Sequence, residues 1–162
     1  MKKKQLSPPE LQRVLRDVAH ELNARILLVA GSEGQVLLYE GMETPKTMDL
    51  LAALSAAGMS ALQEIILAAF RSARRDADNL LILEVPQGVI LISSQPPYLF
   101  MAVISDKTRL GLARMLLRRL SQEYDWSQIL VQEEAGPSPF ASRSHPQAEG
   151  QGEDLFAELW SN

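Results

Sequence analysis

From Met48 to Ala77 the chain contains no proline and runs mostly through alanine, leucine, methionine, glutamine, glutamate and arginine, all strong helix formers. The run predicts one long helix, which in a chain of 162 residues must lie on something flat and apolar. Arg71, Arg74 and Arg75 suit the negative pole of its dipole. Its first half, from Leu50 to Ala61, is lined with small residues all round, whereas its second half carries Leu62, Ile65, Ile66, Leu67 and Phe70. Small residues let another backbone approach closely, and they can equally pack on the helix's own sheet. Because a pure core helix would be richer in leucine and isoleucine, we expect a dual role, with one side on the sheet and the other against a second protein.

The flanking segments supply the sheet. Ser7-Pro8-Pro9-Glu10 has the spacing of a capping box with proline in the first helical turn. Leu11, Val14, Leu15, Val18 and Leu22 then recur at helical steps. Two apolar runs, Ile26 to Ala30 and Val36 to Tyr39, flank Gly31-Ser32-Glu33-Gly34, whose glycines can take the positive φ of a tight hairpin. Both runs are nearly continuously apolar, which implies cover on both faces. Three further strands are expected over Leu80 to Val85, Val89 to Ser93 and Leu99 to Ile104, joined by Pro86-Gln87-Gly88 and Gln95-Pro96-Pro97. Asp106 precedes a last helix with Leu110, Ala113, Leu116, Leu117 and Leu120 on one side.

Composition excludes several classes. Apolar residues at 46% and charged residues at 22% are those of an ordinary globular domain. With no cysteine there is no disulfide framework, thiolate nucleophile or cysteine metal site. The basic start, Met1-Lys2-Lys3-Lys4, is not followed by the apolar stretch of a signal peptide. No uninterrupted apolar run nears the roughly 18 residues of a membrane span, so the expectation is a cytoplasmic protein without membrane insertion. From Asp125 onward seven acids face one base, Arg143, leaving −6 on this segment and +2 on the body. That distribution argues against nucleic-acid binding, which needs a clustered basic face.

After Trp126 the sequence turns to glycine, proline, serine, glutamine and glutamate, a linker composition. It ends in Glu153-Asp154-Leu155-Phe156-Ala157-Glu158-Leu159-Trp160, where helical turns would present Leu155, Phe156, Leu159 and Trp160 together for docking, on the chain's own domain or on a partner. Catalytic signatures are missing: His20 and His145 lack ligand-spaced neighbours, Gly31 to Gly34 lacks the ending of a phosphate loop, and Ser93, Ser94 and Ser105 have no nucleophile-elbow context. We expect no catalytic residue, cofactor or metal. Arg109, Arg114, Arg118 and Arg119 on the last helix form either a phosphate or lipid patch or, more commonly for such a series, a solvated face.

Several stretches carry a family resemblance. They are Ala24 to Val29 followed by Gly31 to Gly34; Leu51-Ala52-Ala53-Leu54 opening the long helix; and Ser105 to Arg114 with its Leu110-Gly111-Leu112 junction. With the order of elements, they make residues 6–124 resemble the Roadblock/dynein light-chain family, most of all its MglB-like bacterial branch. The acidic tail, residues 125–162, lies outside that pattern. The resemblance implies an α+β sandwich in the order α-β-β-α-β-β-β-α: a five-stranded antiparallel sheet with one long helix on one face and the N- and C-terminal helices on the other. It also implies a homodimer, sheets joined edge to edge and long helices paired, as a platform for a Ras-like small GTPase of the MglA kind. The partner surface it implies is Leu54, Ala56, Ala57, Met59, Ser60 and Gln63, reshaping the GTPase without donating an arginine finger. Two other functions stay open: a non-catalytic scaffold or adaptor in a bacterial signalling or motility complex, and a small-molecule sensor.

Overall fold

The computed structural model describes residues 3–70 and 79–129. In chain order the elements are β1 (Lys4–Gln5), α1 (Pro8–Leu22), β2 (Ala24–Gly31), β3 (Val36–Gly41), α2 (Pro45–Ala69), β4 (Asn79–Val85), β5 (Gly88–Gln95), β6 (Tyr98–Ile104), a 3-10 turn (Lys107–Arg109), α3 (Leu110–Glu123) and β7 (Tyr124–Asp125). Strands β2 to β6 form the single five-stranded antiparallel sheet expected, and its spatial order is β3-β2-β6-β5-β4.

The side chains divide between two faces by the period of two that governs strands. Leu27, Val29, Leu91, Phe100 and Ala102 point to the side covered by α1 and α3, meeting Leu11, Leu15, Val18, Leu22, Leu116, Leu117 and Leu120. Ile26, Leu28, Ala30, Ile92, Leu99 and Met101 point to the other side, under Met48, Ala52, Ala56 and Met59 of α2. The central strand β6 is therefore buried on both faces, and its continuous apolar sequence follows from that. By contrast β3, at the sheet edge, is half-buried, with Leu37 and Leu38 against one core and Val36 and Tyr39 against the other, so the expected two-faced cover is complete for β2 and partial for β3.

Helix boundaries follow local chemistry. Ser7 N–H donates to the Glu10 carboxylate at 2.7 Å, one half of the capping box, and Asn23 closes α1 in the left-handed region at φ 49°. Helix α2 begins before Met48, because Thr44 caps it and Pro45 is tolerated in the first turn. It ends at Ala69, with Phe70 extended, short of the Ala77 expected; Arg71, Arg74 and Arg75, expected near its end, lie outside the described residues. At the β2–β3 turn only Gly34 takes positive φ, at 92°, while Gly31 ends the strand.

Two features extend the domain past the expected boundary at Tyr124. Strand β1 pairs in parallel with β7, tying the start of the chain to the end of α3. Beyond it Trp126 is buried, its ring 5.5 Å edge-on from Phe100 and its Nε1–H donating to the Leu120 carbonyl at 2.9 Å. Ile129 joins the same core. The boundary at 124 follows the extent of the resemblance and the charge distribution, and leaves these two outside because single apolar residues in a polar run carry no periodicity.

By length and mean apolarity alone α2 meets the measure of a membrane-spanning helix, a measure that helices packed in a protein core also meet. Ser55, Gly58 and Ser60 break the run without making the helix polar. One side of it packs on the sheet, with the buried Ser55 hydroxyl donating to Met101 Sδ at 3.2 Å.

Candidate partner-binding surface

Helix α2 is apolar on both sides and buried on one. Ala52, Ser55, Ala56 and Met59 lie within one arc of the helix and seat it on the sheet. The seat is close: a Cβ on Gly34 would stand 2.9 Å from Ala53 Cα. On the opposite arc Leu50, Leu54, Ala57, Ala61 and Ile65 follow one another at three- and four-residue steps, and all are exposed. Leu50 and Leu54 are each 59% exposed and Ile65 64%, although these are large aliphatic side chains. Only 22% of the most apolar stretch of α2 is buried, so its own sheet does not account for its hydrophobicity.

The helix also outruns the sheet. It crosses from β3, where Met48 packs near Gly41, to β4, where Asn79 Nδ2 donates to Gln63 Oε1. Beyond this contact with the edge strand the helix runs on to Ala69, an overhang of about 9 Å at the helical rise in which Ile66 and Leu67 stay half-buried. Ile65 belongs to this overhang, and Phe70, 63% exposed, follows directly after it.

The two edges of the sheet differ. At β3, Gln12 Nε2 donates to the Tyr39 carbonyl at 3.1 Å and to Glu40 Oε1 at 2.7 Å, and Arg16 pairs with Glu40 at 3.2 Å. That edge is blunted by α1 and by charge. Strand β4, Asn-Leu-Leu-Ile-Leu-Glu-Val, is seven residues long with one charge and no proline, and no described strand pairs its outer side. The open edge and the overhang therefore lie on the same side.

The residues expected at the partner surface fall into two groups. Ala56, Met59, Ser60 and Gln63 line a groove of about 280 Å³ between α2 and the strand ends, with Ser94 and Pro96 opposite. Ala56 and Met59 are buried at its base, Ser60 is exposed, and Gln63 is held by Asn79. Leu54 and Ala57 lie on the outer face instead. Sequence reasoning passed over Leu50 and Ile65, which the four-residue spacing to Leu54 and Ala61 could have disclosed. Leu155, Phe156, Leu159 and Trp160 lie outside the described residues. Among the described residues, no group of three acids or histidines could hold a metal ion.

No family model matches the sequence, and no curated protein matches it. Solved structures do. MglB from Myxococcus xanthus superposes with a TM-score of 0.62 over 79% of this chain and 99% of its own, at 15% identity. The fold is that of the Roadblock domains. The gliding protein MglB of Thermus thermophilus gives 0.59 over 78% of this chain and 90% of its own, at 20% identity. A Roadblock/LC7 domain from Streptomyces avermitilis gives 0.55 over 67% and 92%, at 15% identity. The Roadblock likeness covers nearly the whole of each of those chains.

Proposed function

We propose that this chain is a homodimeric regulatory platform that binds a Ras-like small GTPase of the MglA kind in the cytoplasm and modulates it, acceleration of GTP hydrolysis included. The observation that carries the reading is the exposed apolar stripe Leu50, Leu54, Ala57, Ala61 and Ile65 on α2, continuous with an overhang beside an open strand edge. A second copy joined through β4 would extend the sheet beneath the overhang and lay its own α2 alongside. Small residues at Ala57, Gly58 and Ala61 would let the two helices approach closely, as antiparallel helices with small contact residues do. A structure described as MglB with a tetrameric arrangement shares this fold, which supports self-association as the use of the surface.

The GTPase would rest on the paired helices and reach the groove rim at Ser60 and Gln63, with Leu54 and Ala57 as apolar contacts. The reading assigns no chemical step to this chain: it would favour one arrangement of the GTPase switch segments by binding it better than the others. The test is co-elution with an MglA-like GTPase loaded with GDP or a non-hydrolysable GTP analogue, followed by single-turnover hydrolysis. A complex in at least one nucleotide state is expected, and absence of binding in both overturns the proposal. The adaptor alternative, in which the tail carries the peptide ligand, separates by truncation: deleting the residues after Ala135 would abolish partner capture under it and leave capture intact under the reading proposed.

A further inference from the structure

The other face of the sheet carries a second surface, on the side of α1 and α3. A groove of about 510 Å³ runs between α3 and strands β4 and β5. Its apolar part is Leu80, Leu117 and Met115, the last 57% exposed. Arg114 and Arg118, one helical turn apart, stand on its α3 wall. Four other arginines of the domain are engaged, Arg16 with Glu40, Arg25 with Glu43, Arg109 with Asp106 and with the Glu21 carbonyl, and Arg119 with Glu123, while Arg13 on α1 is exposed and does not line this groove. Among the described residues no acid pairs with Arg114 or Arg118. Lys3 adds a third cation at the end of the wall, its Nζ donating to the Ser121 carbonyl at 3.2 Å.

Unpaired guanidinium groups above an apolar floor select a ligand with carboxylates and large apolar side chains at matching spacing. We propose that this groove receives an acidic amphipathic helix of a partner protein. Acids three or four residues apart would pair with Arg114 and Arg118, and leucine or phenylalanine would rest on Leu80 and Met115. An apolar floor of this kind favours a peptide over a phosphate headgroup, which has no apolar side chain to lay on Leu80 and Met115. The surface faces away from α2, so it would serve a partner other than the one bound there.

The probe is a fluorescein-labelled peptide with leucine and phenylalanine on one helical face and glutamate on the other, compared with its lysine-for-glutamate counterpart by anisotropy on the full chain. Binding of the glutamate peptide alone is expected, weakened about tenfold or more by Arg114→Glu with Arg118→Glu and also by Met115→Ala. Arg13→Glu, exposed on α1, changes the net charge away from the groove and should leave affinity unaltered. Circular dichroism confirms that each variant is folded. Equal loss with Arg13→Glu, or no loss with the double reversal, overturns the proposal. So does Arg114- and Arg118-dependent binding to phosphatidylserine vesicles without peptide binding, or a change in oligomeric mass with Met115→Arg, which would make the groove a contact between copies. A chain that binds the peptide but no GTPase refutes only the preceding reading.

Discussion

At Gly34 two constraints coincide. Its φ of 92° is one that side chains rarely adopt, and an added Cβ would meet the backbone of α2 at 2.9 Å. We expect Gly34→Ala to destabilise the fold by about 1–3 kcal/mol in urea titration, through strain and displacement of α2. Gly58 is the contrast: nothing lies within 4 Å of a Cβ placed there. Gly58→Ala should raise the stability of the folded chain by about 0.5–1 kcal/mol, from helix propensity alone. If the same change weakens self-association, the space at Gly58 is used by the second copy. Glu10 sets a pH dependence. Bonds from the Ser7 hydroxyl and Ser7 N–H hold its carboxyl below the usual range, so its contribution to stability is present above that range and is lost as pH falls through the lowered value. Denaturation curves between about pH 6 and about pH 3 should fall less steeply for Glu10→Gln than for the parent.

Among the elements, α1 and β6 carry their causes openly. The stripe Leu11, Leu15, Val18, Leu22 is what a helix on one sheet face requires, and all four are buried. The unbroken apolar run of β6 is what a central strand requires. Helix α2 was legible as a helix and only half legible as a surface. Small residues occur on both of its arcs, so composition could not say that Ala56 and Met59 face the sheet while Leu54 and Ala57 face outward. The overhang was illegible, because it depends on where β4 lies in the sheet and not on any pattern within α2. Trp126 was missed for a similar reason, since its burial depends on Phe100 in a distant strand. Its removal by Trp126→Ala should cost about 3–5 kcal/mol, visible as a lowered urea midpoint.

For the molecule as a whole, two sheet faces are covered unequally and two sheet edges are protected unequally. The face under α1 and α3 holds the larger core, while α2 carries its exposed apolar arc out beyond β4. A stable interface buries about 800 Å² on each partner, which a helix face together with a seven-residue strand edge can supply. Sedimentation velocity of the full chain at micromolar concentration, with and without Leu54→Arg, addresses that pairing without reference to any GTPase. The account predicts a dimer for the parent chain and a folded monomer for the variant; a parent chain that sediments as a monomer, or a variant that stays dimeric, would contradict it.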